Sequence, residues 1–273
     1  MIGQTKLKAT IKEQIDKGVF PNFAIIVGDK GHGKKTLSRE IVKMKKLPLY
    51  MLDDVKVDTI RTMIKDAYNV RTKVCYVIPD ADSMSAQAKN ALLKVTEEPP
   101  NNASFIMTVS DESTLLDTIR SRGTIYRMDA YSKAELREYA PGSSEDDFIY
   151  EVCNNMYELD LMRRKDAGEY QEQAEKLLHK VANISIANAL KSRQMVAFKD
   201  GDDGLDFQLL LRSFECVAIN SMNADNALMM CELIERTNQA LSRLRVSAIN
   251  KQSVYDIWIF DLRTTMHHYE VSE

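Results

Sequence analysis

The sequence predicts an α/β domain built on a five-stranded parallel sheet, followed by a small helical segment and an all-α domain. Three observations predict it. Five short, nearly unbroken apolar runs lie within the first 128 residues, as central strands covered on both faces require. Helical periodicity separates those runs, and it alone continues after Asp129. A glycine-rich loop, GDKGHGKKT at residues 28–36, follows the first run directly and opens a helix.

The strand runs are FAIIV (23–27), PLYML (48–52), VCYVI (74–78), SFIMTV (104–109) and TIYRM (124–128), all rich in β-formers. Between them, KKTLSREIVKMKK and SAQAKNALLKVTEE are helical. In the second, Ala88, Ala91, Leu92 and Val95 repeat at i, i+3, i+4 and i+7, and Pro99-Pro100 end the helix because neither donates a backbone N–H. Ser132 and Glu135 form a capping-box signature that opens another helix, which PGSS (141–144) interrupts. No strand is expected beyond Asp129, and the acidic DGDDG (200–204), which lacks calcium-loop spacing, reads as a turn. The predicted boundaries are 1–129, 130–166 and 167–273.

A chain of 273 residues with 44% hydrophobic and 28% charged residues is long enough for two or three ordinary globular cores. No window approaches the ~18 apolar residues of a membrane span. Lys6, Lys8 and Lys12 spread through the first helical stretch argue against a secretory signal. The four cysteines lie far apart without a C-x-x-C, so neither zinc nor disulfides are expected, and a cytoplasmic location is. The net charge of −3 hides an asymmetry: through Met128 there are 21 Lys and Arg against 15 Asp and Glu, and the remainder has 16 against 25. A basic first part suits phosphates; uneven solvated faces would give the same counts.

A strand, a glycine-rich loop and a helix in succession bring backbone N–H groups and a helix dipole to bear on phosphate oxygens. Gly28, Gly31 and Gly33 let the backbone approach, and Lys34 supplies the charge. Hydrolysis needs a magnesium ion as well, usually held by a loop hydroxyl and by an acid at the end of a neighbouring strand. Lys35 stands where the hydroxyl belongs, and Thr36, one residue on, is turned ~100° away in a helix. The acid position after VCYVI is Pro79, which has no ligand atom, although Asp80 follows. Both metal ligands are missing, so intrinsic ATP hydrolysis is not expected.

These residues carry a family resemblance. AQAKNALLKVTEEPPNNASFIMTVSDESTLLDTIRSRG (86–123), with Gly3-Gln4, VDTIR (57–61) and the loop, resembles the AAA+ clamp-loader subunits of cellular DNA polymerases. LSRLRVSAINKQSVYDIWIFDL (241–262) resembles the last collar helices of bacterial delta-prime members, which the degenerate metal site also resembles. The resemblance implies an AAA+ P-loop domain, a helical lid and an all-α collar that oligomerises. It implies a structural subunit of a DNA polymerase III clamp loader, working beside delta and gamma/tau subunits, the sliding clamp and the backbone of primer–template DNA. No cofactor is then required; whether ATP or ADP binds without hydrolysis stays open, and an ATP-hydrolysing motor subunit or another AAA+ ATPase is the alternative.

In the family's Ser-Arg-Cys motif the arginine reaches a neighbour's ATP site as a trans finger. Ser121 and Arg122 match it, while Gly123 replaces the cysteine. The resemblance puts the sensor position at Ser110 and Leu159 in place of a sensing arginine, with Arg163 or Arg164 as competitors. A helix over DESTLLDTIRSR would carry Ser121 and Arg122 at its end, and an ordinary cation at a helix terminus would look the same. The four-cysteine zinc module of the motor subunits is absent, so no metal is implied. His267-His268 diverge on a helix, Trp258 reads as core, and LDFQLLLRSFECVAI (205–219) as a helix packing on other subunits.

Overall fold

The computed structural model describes residues 2–141, 147–181, 185–198, 204–244 and 249–270. They fall into two compact units, Met1–Tyr139 and Ala140–Glu273.

All five apolar runs of the first unit are strands: β1 (Phe23–Val27), β2 (Leu49–Met51), β3 (Val74–Ile78), β4 (Ala103–Val109) and β5 (Thr124–Arg127). They pair in parallel in the order β2-β3-β4-β1-β5. Alternate residues of the central strands β1, β3 and β4 enter opposite cores, whereas Leu49 and Tyr50 of the edge strand β2 are exposed. Phe23, Ile25, Tyr76 and Ile78 pack with Ile60 and Met63 of α3 (Val57–Asn69) and with Ala88, Leu92 and Val95 of α4 (Ala86–Glu97). Ala24, Ile26, Cys75 and Val77 pack with Ile11 of α1 (Thr5–Asp16) and with Leu37, Ile41 and Val42 of α2 (Lys34–Met44). Two covered faces explain the unbroken hydrophobicity of the strands.

Local chemistry sets the boundaries. The Ser85 hydroxyl accepts from the Ala88 N–H at 3.2 Å and starts α4. The capping box closes as predicted: the Glu135 N–H donates to the Ser132 hydroxyl at 3.3 Å, and the Ser132 N–H to the Glu135 carboxylate at 2.8 Å. Gly3-Gln4 has a structural use. The Gln4 amide donates to the Asp129 carbonyl at 2.6 Å and accepts from the Asp129 N–H at 3.1 Å, clasping the chain's start to the end of the sheet.

Residues 111–122 do not form one helix. Glu112–Thr114 is a 3₁₀ turn, and α5 covers only Asp117–Arg120. The Asp111 carboxylate accepts from the Ser113 N–H at 2.8 Å and its hydroxyl at 2.6 Å, bonds that favour a turn over helix propagation. The helix α6 (Lys133–Tyr139) completes the unit.

The second unit holds α7 (Asp147–Val152), α8 (Met156–Arg164), α9 (Ala167–Lys180), α10 (Ile186–Lys191), α11 (Phe207–Asn220), α12 (Ala227–Leu244) and α13 (Lys251–Glu270). Two expectations need correction. Strands do occur after Asp129: β6 (Val196–Ala197) pairs in parallel with β7 (Leu205–Asp206). Two residues are too few to show an alternation, so such strands leave no periodic signal. The apolar stretch 205–219, expected to pack on other subunits, instead packs mainly inside its own unit. In α11, Leu209, Leu210, Leu211, Phe214, Val217 and Ala218 are buried within the unit, where the helix packs on α9 and α12. Only Ile219 of its large apolar side chains is strongly exposed. Trp258 is core, as expected, with its indole N–H donating to the Thr237 hydroxyl at 3.1 Å inside an aromatic cluster with Phe207, Phe214 and Tyr255. All of DGDDG except Gly204, and all of PGSS except Pro141, lie outside the described residues.

Candidate functional site

The glycine-rich loop leaves the end of β1, which the register places beside the ends of both β4 and β5 (Val27 opposite Val109 and Arg127). Gly31 and Gly33 have φ of 90° and 83°, a left-handed backbone that favours glycine, and Gly33 caps α2. This geometry turns the first N–H groups of α2 toward the loop's concavity, as phosphate binding requires.

Lys34 is 7% exposed and curls back on the loop. Its ammonium donates to the Gly28 carbonyl, to the Asp29 carbonyl at 3.2 Å and to the Ser110 hydroxyl at 3.1 Å. Burial lowers its pKa, partly offset by the charges of Asp82, Asp80 and Asp29. Ser110 is thus joined to the loop lysine across 76 residues of sequence. Asp82 anchors that strand end: its carboxylate accepts from the Ser110 N–H at 2.8 Å and the Asp111 N–H at 3.1 Å. Sequence reading passed over Asp82, which only the partnership of two strand ends reveals.

The Lys35 ammonium lies 2.6 Å from a carboxylate oxygen of Asp80, both half-exposed. The ion pair joins the start of α2 to the residue after Pro79, just past the end of β3. Pro79 is buried and donorless, and Thr36 is exposed. Asp80 sits at φ 48° with its N–H donating to the Thr108 hydroxyl at 3.0 Å. A donor set of one carboxylate already neutralised by an ammonium does not fit Mg²⁺. Beside the pair opens a cleft of about 680 Å³, walled also by Asp53 and Asp54. Asp54 belongs to the start of α3: hydrogen bonds from the Thr59 hydroxyl and the Lys56 N–H hold its carboxyl below the usual range.

Ser121 caps the end of α5, and Arg122 follows. The Arg122 guanidinium donates to the Thr118 carbonyl at 2.8 Å and lies 3.0 Å from the Glu97 carboxylate, with about a third of the side chain exposed. Glu97, from the Glu-Glu-Pro-Pro stop of α4, is a partner the sequence did not suggest. At Gly123 a Cβ would fall 2.4 Å from Ile25 Cδ1, so the glycine is required by the packing of β1.

In the second unit Leu159 is fully buried. Arg163 donates to the Ala140 carbonyl at 2.9 Å and the Tyr150 hydroxyl at 3.0 Å. His267 and His268 are exposed, and among the described residues no three His, Cys, Asp or Glu side chains gather as a metal site. Among the same residues no helix is long and apolar enough to cross a membrane.

Comparison with known proteins agrees with this architecture. Residues 5–132 match the family described as DNA polymerase III, delta subunit. A DNA polymerase III subunit gamma from Buchnera aphidicola is 26% identical over 220 residues, 70% of this chain and 55% of that protein. A replication factor C small subunit from Methanothermobacter thermautotrophicus is 28% identical over 140 residues, 46% of this chain and 43% of that protein. These matches support a clamp-loader AAA+ family. The chain spans about half the length of the curated relatives it matches. Among solved structures, the Thermotoga maritima RuvB Holliday junction branch migration motor aligns at a TM-score of 0.51 and 15% identity, covering 95% of this chain and 87% of that one. That likeness is one of fold, the AAA+ P-loop fold.

Proposed function

We propose that this chain is a non-hydrolysing structural subunit of a DNA polymerase clamp loader, of the delta-prime kind. It would help load a sliding clamp onto primer–template DNA and lend Arg122 to the ATP site of a neighbouring subunit. The observation that supports the reading is the ion pair of Lys35 with Asp80, since an ammonium in the metal's position would oppose catalysis of phosphoryl transfer. The residues after 129 would act as lid and, from 167, as collar against delta and gamma/tau subunits. The basic surplus before residue 129 supports contact with DNA phosphates. The glycine loop and Lys34 retain the chemistry to hold ATP or ADP without hydrolysis.

Mg-ATP turnover by the purified chain is the decisive measurement. Background rates are expected. Turnover well above background that Lys34→Ala abolishes would favour a second reading, a hydrolysing motor subunit, to which the likeness to gamma subunits lends support.

A further inference from the structure

At the edge of the sheet where the strands begin, opposite the glycine-rich loop, the first unit carries a cavity of about 400 Å³. That volume suits a small organic ligand. Lys45 and Lys73 line it, and no carboxylate does. Among the described residues neither lysine has an acidic partner within ion-pair distance. Lys45 is partly enclosed: its ammonium donates to the Ser104 hydroxyl at 3.4 Å and sits 4.9 Å from the centre of the Phe20 ring. Burial lowers its pKa; Cys75 opposes this, and the charge of Lys73 adds a smaller effect in the same direction as burial. Both lysines therefore line one cavity whose lining holds no carboxylate. Asn22 and Asn101 add polar groups to the lining, and Phe20 and Leu47 give it an apolar wall.

We propose that this cavity takes a small phosphomonoester, its phosphate bridging Lys45 and Lys73 and its organic part lying against Phe20 and Leu47. A dianion offsets the repulsion between two like charges and forms charge-assisted hydrogen bonds with both. The buried Ser104 hydroxyl donates to the Val74 carbonyl at 3.3 Å and accepts from Lys45, so it holds the lysine in place rather than meeting the ligand. The site is separate from the glycine loop and does not rest on the function proposed above.

The test is an amide NMR titration of the full chain with ribose 5-phosphate and, in parallel, inorganic phosphate. Saturable shifts are expected at Gly18, Asn22, Asn101 and Ser104. Lys73→Met and Lys45→Met should each weaken binding at least tenfold, and Lys43→Met, outside the cavity, should leave it unchanged. Lys73 is exposed, so its variant carries the test if Lys45→Met fails to fold. Shifts confined to residues 28–36, or wild-type affinity in Lys73→Met, would overturn the site. Inorganic phosphate binding as tightly as ribose 5-phosphate would overturn the organic half of the assignment.

Discussion

Gly123 shows how one residue can depart, for a local reason, from a motif that its neighbours resemble. A Cβ there would overlap Ile25, which is fully buried in the sheet domain. Gly123→Cys is expected to cost about 1–3 kcal/mol through overpacking, read as a lower midpoint of thermal unfolding. Lys35 is a different case. Its ion pair with Asp80 is half-exposed and worth little to stability, of order 0–1 kcal/mol, and under the proposed function its weight would be in keeping out a metal. Lys35→Thr removes the ammonium and frees the Asp80 carboxylate. Nucleotide affinity is then expected to rise on adding Mg²⁺, measured by calorimetry with and without EDTA, while turnover stays at background because Pro79 still offers no ligand. An affinity indifferent to Mg²⁺ would count against this account of the site. The residues of this edge were legible in the sequence as motif letters. Their partnerships were not, since Lys34 with Ser110 and Arg122 with Glu97 join positions far apart in the chain.

Elements were readable where a repeating physical demand acted on many residues. The central strands β1, β3 and β4 needed apolar side chains on both faces, and the helix of Ala88 to Val95 needed one stripe, so both left a trace in the sequence. Shorter elements did not: β6 and β7 hold two residues each, and the segment from Asp111 to Arg122 breaks into a 3₁₀ turn and a single helical turn. The role of α11 was misread because hydrophobicity alone does not say whose core a helix enters. Its Arg212 also escaped notice. Buried side chains of Arg212 and Glu158 pair directly, and the Glu158 carboxylate accepts from the Asn154 N–H at 2.8 Å, fastening α11 to the start of α8. Removing one partner strands a buried charge. Arg212→Met is expected to lower unfolding free energy by about 3–5 kcal/mol in denaturant titration, and pairing it with Glu158→Leu should recover part of that loss.

For the molecule as a whole, the proposed role concentrates on what Arg122 does in company. It rests on Glu97 and Thr118 in the isolated chain, by contacts weak enough to exchange for a phosphate. Arg122→Ala is expected to leave assembly of the loader intact and lower its ATPase rate at saturating DNA; unchanged turnover would remove the finger role. The broad division into a sheet domain and a helical part was legible because composition changes after Asp129, whereas a partner leaves no such mark on a single chain. The clasp of Gln4 on Asp129 has a mechanical side. Tension applied between Ile2 and Tyr139 would reach those two hydrogen bonds before it reached any strand pairing. The first event under load would then be the peeling of α1 and the uncovering of Ile11, with the parallel ladder behind it still closed.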